Sequence, residues 1–211
     1  MGAKTRRGYK HGIFALETSQ WYGNLKCRTS VRPMLSMLED SSLKVPYIYR
    51  DVAVHEEFWH FLKKWTQKAY ENYPILYLLF HGEPGQIIVG EGKNNEIELN
   101  TVAERLEGKC KGKIIIFSSC STLDKNARWM NSFLRSTKAE AVIGYRIDVD
   151  WMESVLFEML LLCEFQSRAL DLKGLRKSKS EVDKAVARSG LKKGLDYGII
   201  IRKARKRRTK A

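Results

Sequence analysis

Two kinds of segment alternate along this 211-residue chain. The first kind is a short, continuous apolar run bounded by turn residues. Such runs are Gly12-Ile13-Phe14-Ala15-Leu16, Val45-Pro46-Tyr47-Ile48-Tyr49-Arg50, Ile75-Leu76-Tyr77-Leu78-Leu79-Phe80, Lys113-Ile114-Ile115-Ile116-Phe117, Ala141-Val142-Ile143-Gly144-Tyr145 and Tyr197 to Ile201. Runs of this length without polar alternation read as strands buried on both faces, the mark of a parallel sheet. Pro46 assigns the second run to a sheet edge, because proline cannot donate to a ladder. The second kind has apolar residues at steps of three and four. Val31, Met34, Leu35 and Leu38 follow this spacing, with Pro33 in the first turn. Phe58, Phe61, Leu62 and Trp65 follow it within Val54 to Tyr70, and Trp129, Met130, Phe133 and Leu134 after a start at Asp124 or Asn126.

A long apolar helix is expected from Trp151 to Leu170 behind an Asp150 cap, and a last one from Ser180 to Ser189 with Gly190 as its stop. Gln86 to Val89 and Glu96 to Leu99, flanking a Gly/Asn-rich turn, predict a hairpin, after which Asn100 caps a helix over Thr101 to Leu106. Strands alternating with helices predict an α/β domain of three layers: a mostly parallel six-stranded sheet with helices on both faces.

Composition narrows the picture. At 44% apolar the chain can bury one core without covalent staples. No window is apolar enough for a membrane span, and no secretory signal opens the chain. The four cysteines, Cys27, Cys110, Cys120 and Cys163, form no CxxC pair and suggest neither a zinc site nor a disulfide framework, so a reducing cytoplasm is the expected home. The net charge of +14 collects toward the ends, in Arg202 to Arg208 and in Lys173 to Lys179. The reading is a flexible leader over residues 1–10, one domain over 11–201 and a basic tail over 202–211. Such runs can bind nucleic acid through phosphate contacts. No aromatic residue interleaves the terminal block, which favours a solvated tail over a nucleic-acid surface. His55 and His60 lack metal-type partners in sequence and read as surface or interface residues.

The chemistry is concentrated between Pro74 and Thr122. The third strand stops at His81-Gly82 and the fourth at Ser118-Ser119-Cys120. If both strands are central and parallel, the imidazole and the thiol leave the sheet at the same edge, where α/β proteins build sites. Cysteine attacks as its thiolate, a form favoured by a nearby histidine and by a helix N-terminus, expected here within Ser121, Thr122 and Asp124. The N–H groups of Gly82 and Cys120 are the natural donors for an oxyanion. No GxxxxGK[ST] loop or GxGxxG turn is present, which argues against a phosphate-binding enzyme.

These residues resemble the caspase-like cysteine peptidases (clan CD, which includes caspases, separases, gingipains and the CHAT domains), and CHAT domains most of all. Leu79-Phe80-His81-Gly82 is similar to the His-Gly strand end of that clan. Phe117-Ser118-Ser119-Cys120-Ser121-Thr122 is similar to the CHAT pattern hydrophobic-Ser-Ala-Cys-x-Thr, with Ser119 in place of alanine. Ile97 to Asn100 and Ala141 to Asp150 resemble flanking CHAT segments, although the tryptophan usual in the second turn is missing. The Gln-Ala-Cys-x-Gly signature of caspases proper is absent, so cleavage after aspartate does not carry over.

The resemblance implies a caspase-like fold and a cysteine endopeptidase acting on protein or peptide substrates through His81 and Cys120, without metal or cofactor. By analogy it implies an effector that awaits an activating partner. Asp148, Asp150 and Glu17 are the expected acidic residues of a substrate pocket. Asp150 as a helix cap and Asp148 as a solvated residue are the plainer readings, and the basic stretch Lys173 to Lys179 is a candidate maturation loop. The alternative is a catalytically inactive caspase-like domain, or another α/β binding module, that contacts nucleic acid through its basic segments.

Overall fold

The computed structural model describes residues 9–18, 21, 26, 29–91, 93–191 and 194–203. Residues 1–8 of the expected leader, residues 204–211 of the expected tail, Cys27 and most of the loop after the first strand lie outside the described residues. The chain runs β1 (Ile13–Thr18), α1 (Arg32–Asp40), β2 (Tyr47–Val52), α2 (His55–Trp65), β3 (Ile75–Leu79), β4 (His81–Glu83), β5 (Gln86–Ile88), β6 (Glu96–Glu98), α3 (Leu99–Arg105), β7 (Ile114–Ser118), α4 (Ala127–Thr137), β8 (Ala141–Tyr145), α5 (Trp151–Phe165), α6 (Leu172–Ser189) and β9 (Tyr197–Ile201).

The main sheet has six strands in the order β2-β1-β3-β7-β8-β9. Five are parallel; β9 pairs antiparallel with β8. The strand that follows Pro46 is at the edge, as its sequence requires. The period-two rule of a pleated strand then builds two cores. Ile13, Ala15, Ile75, Tyr77, Leu79, Ile114, Ile116, Ala141 and Ile143 point to α1, α5 and α6. Phe14, Leu16, Leu76, Leu78, Ile115, Phe117 and Val142 point to α2, α3 and α4. The chain leaves β1 for β2 on one side and returns to place β3 on the other. The connections diverge there, and a crevice opens at the carboxyl ends of β1 and β3.

Several elements differ from the sequence expectation. The helix expected through Tyr70 ends at Trp65, and a 3₁₀ turn over Lys68–Tyr70 follows. Asn100 does not cap α3; Glu98 occupies that position, and the Asn100 side chain instead accepts from Trp129 Nε1 (2.8 Å). The long helix stops at Phe165. Asp171 starts a new helix, its carboxylate accepting from Gly174 N (2.7 Å), so Lys173 to Lys179 is helical and is not a loop. Asn126 and Asp150 cap α4 and α5 as expected, and Gly190 stops α6 with a φ of 82°. His81 is itself the first residue of a short strand, in a three-stranded antiparallel sheet β4-β5-β6. None of the described helices is long and apolar enough to cross a membrane.

Candidate active site

Register brings the two chemically interesting residues together. Leu79 of β3 pairs with Ser118 of β7, and His81 and Cys120 each lie two residues further on. Both line one cavity of about 250 Å³, with Trp21, Ser118, Tyr145, Asp150, Trp151 and Ser154 among its walls. His81 is exposed and Cys120 half-buried.

The His-Gly pair is there for a steric reason. A Cβ on Gly82 would stand 2.5 Å from the carbonyl oxygen of Cys120 and 2.2 Å from Thr122 Oγ1. Only glycine lets β4 cross this close to the turn after β7. That turn is tight: Ser121 has a φ of 51°, an uncommon conformation for a residue with a side chain. Ser121 Oγ donates to Asp148 Oδ1 (2.7 Å), and its N–H to Ile147 O (3.0 Å), which fix the turn. α4 begins only at Ala127, so the helix N-terminus expected at Cys120 is not adjacent to it. The N–H of Cys120 donates to no acceptor among the described residues. β4 is an edge strand, so alternate N–H groups along it, in the stretch that holds Gly82, lie free of the ladder.

His81 Nε2 lies 2.8 Å from the carbonyl oxygen of Trp21. A carbonyl only accepts, so Nε2 carries the proton, and in the neutral ring Nδ1 holds the free lone pair. The Trp21 indole also packs edge-on against the imidazole, ring centres 5.3 Å apart. The thiol of Cys120 donates to Val149 O (3.8 Å), and it makes no hydrogen bond to His81. Rotation about its Cα–Cβ bond frees it from that carbonyl.

The three expected acidic residues have different fates. Asp150 lines the cavity and also caps α5, accepting from Glu153 N (3.0 Å). Asp148 is exposed and absent from the cavity wall; it holds the Ser121 turn instead. Glu17 does not face the cleft, because the carboxylate is fully buried and spent on Trp21 Nε1 (2.9 Å), Ser30 Oγ (2.6 Å), Tyr49 OH (2.7 Å) and Val31 N (3.0 Å). Its partners lie 4, 13, 14 and 32 positions away, which no local pattern could reveal.

A second buried carboxylate, Glu158, sits behind the cavity wall. It accepts from Tyr77 OH and from Tyr145 OH (2.8 Å), and also from Ser118. Burial pushes its carboxyl up to about 7, against the pull of these hydroxyls. Burial and then the Glu158 charge push the Tyr77 and Tyr145 phenols well above their ordinary value. The signal for this residue was present in the sequence: a lone carboxylate at four-residue spacing from Ser154 and close to Leu161 on the buried stripe of an apolar helix. Cys110 and Cys163 are free thiols; burial raises Cys110 to about 12 and raises Cys163 in the same direction.

Residues 10–178 match the model of DUF6642, a family of unknown function, and the chain belongs to that family. No curated protein matches it.

Proposed function

We propose that this protein is a cysteine endopeptidase in which Cys120 is the nucleophile and His81 the general base. The observation that carries the reading is the shared register: imidazole and thiol each two residues past a paired position on neighbouring parallel strands, opening into one cavity. The resemblance of Leu79 to Gly82 and of Phe117 to Thr122 to the caspase-like, CHAT-type strand ends supports it independently. With Nε2 bound to the Trp21 carbonyl, Nδ1 is the atom that receives the thiol proton.

The thiolate then attacks the scissile carbonyl carbon. The oxyanion is met by the N–H of Cys120 and by that of Gly82. Collapse breaks the C–N bond, and His81 returns its proton to the leaving amine. Water, deprotonated by His81, hydrolyses the thioester and regenerates the thiol. Protein or peptide substrates in a reducing cytoplasm fit this chemistry and the free cysteines, and an activating partner is consistent with a thiol that rests on Val149 O.

Incubation of wild type, Cys120→Ala and His81→Ala with a mixed peptide library tests the reading. Cleavage by the wild type, reduced about a thousandfold or more in both variants, is expected. Equal cleavage by all three contradicts it.

A second reading, a nucleic-acid-binding module, draws on α6, whose exposed Lys173, Arg176, Lys177, Lys184 and Arg188 add to the excess positive charge. It predicts salt-sensitive DNA or RNA binding that survives Cys120→Ala.

A further inference from the structure

Glu17 is buried to zero exposure at the end of β1 and has no place in the cavity wall. Buried carboxylates are costly unless every lone pair is used. Here four donors converge on two oxygens: Trp21 Nε1 and Val31 N on Oε1, Ser30 Oγ and Tyr49 OH on Oε2. This pattern suits an acceptor-only group. One of those donors leads directly to the proposed base. The Trp21 indole, held by Glu17 at 2.9 Å, belongs to the residue whose carbonyl accepts from His81 Nε2 at 2.8 Å and whose ring packs edge-on against the imidazole. Trp21 also forms part of the cavity wall.

We infer that Glu17 is a positioning residue for His81, acting through Trp21: by fixing the indole it fixes the carbonyl that keeps the proton on Nε2 and leaves Nδ1 open toward Cys120. This inference rests on the peptidase reading for its catalytic meaning, but the contact chain stands apart from any activity. Glu17 touches neither substrate nor thiol. Its loss acts by letting the Trp21 carbonyl and ring drift from the imidazole, so the ring gains freedom to rotate and to exchange tautomers. A displacement of the base of about 1 Å lowers turnover on the order of a hundredfold.

The test reads the imidazole itself. In a Cys120→Ala background, ¹⁵N spectra of histidine-labelled protein report which ring nitrogen of His81 carries the proton. The wild-type loop is expected to show the Nε2–H form. Trp21→Phe keeps an aromatic ring but removes the indole N–H with its five-membered ring, and Glu17→Gln turns one of the two acceptor oxygens into a donor; both are expected to shift His81 to a mixture of tautomers. Val182→Ala, a truncation in the remote α6 core, supplies a destabilised control that leaves the His81 signals in place.

In the active protein the same two variants are expected to lower kcat by about tenfold to a hundredfold, with a smaller change in KM. Unchanged His81 nitrogen signals in Trp21→Phe overturn the inference, as does a shift of equal size in Val182→Ala. A tautomer shift in a protein whose cleavage is equal in wild type, Cys120→Ala and His81→Ala upholds the positioning role while the peptidase reading fails.

Discussion

The two faces of the main sheet are built from the same strands and differ at their carboxyl ends. Toward α2, α3 and α4 the strand ends present Leu16, Phe80 and Phe117, all essentially without exposure. Toward α1 and α5 the next residues in line are Glu17, His81 and Ser118, with Tyr77, Tyr145, Ser154 and Glu158 behind them. One face is hydrocarbon to its end, and Phe117 meets Phe133 edge-on at 6.1 Å. The other gives up hydrocarbon contact just below the cavity for buried hydroxyls and the carboxyl groups of Glu17 and Glu158. Polar groups in a core cost free energy that apolar replacements would not.

The contrast makes unequal predictions for the two faces. The largest effect belongs to the hydrocarbon side: Phe117→Ala is expected to cost about 3–5 kcal/mol, nearly the same at pH 5 and pH 8, in urea titrations. A strongly pH-dependent loss would show that this face is not purely apolar in its energetics.

The polar side responds to pH instead. Glu158 has a folded-state value of about 7, above the ordinary carboxylate value. A group raised in this way binds its proton more tightly when folded, so its contribution is fully present below the unfolded value and is lost as pH rises through about 7. Between pH 5 and pH 8 that loss is about 2–3 kcal/mol. Glu158→Gln carries no titrating proton, so its stability relative to wild type is expected to improve by this amount over the same interval. Parallel pH profiles for the two proteins would place the titration elsewhere.

Much of this architecture was legible in the residues, and the failures have physical causes. Continuous apolar runs placed all six strands of the main sheet, because a strand buried on both faces leaves no other pattern. The pairing of Leu79 with Ser118 follows from two such runs becoming neighbours, which is why the sequence alone brings His81 and Cys120 to one edge. The start of α6 is hidden in the sequence because its first turns are basic and carry Gly174, directly behind the apolar stretch that ends at Leu170. β4, three residues long, has no periodicity to read.

Glu17, expected to border the substrate pocket, is buried instead. Only the convergence of Trp21, Ser30, Val31 and Tyr49 from distant positions shows why it is buried. Asp150 caps α5 as expected and also lines the cavity, whereas Asp148 is exposed and holds the Ser121 turn.

The central claim is that His81 activates Cys120, and thiol labelling measures this most directly, with no need for a substrate or an activator. The folded protein is exposed to iodoacetamide for short times at pH 7, and modification is read cysteine by cysteine by mass spectrometry. Cys110 and Cys163 serve as internal references, since burial holds both thiols in their unreactive form. The account predicts that Cys120 is alkylated at least about tenfold faster than either, and that His81→Ala removes this advantage. A Cys120 that reacts no faster than the two references, or equally fast with and without His81, contradicts it.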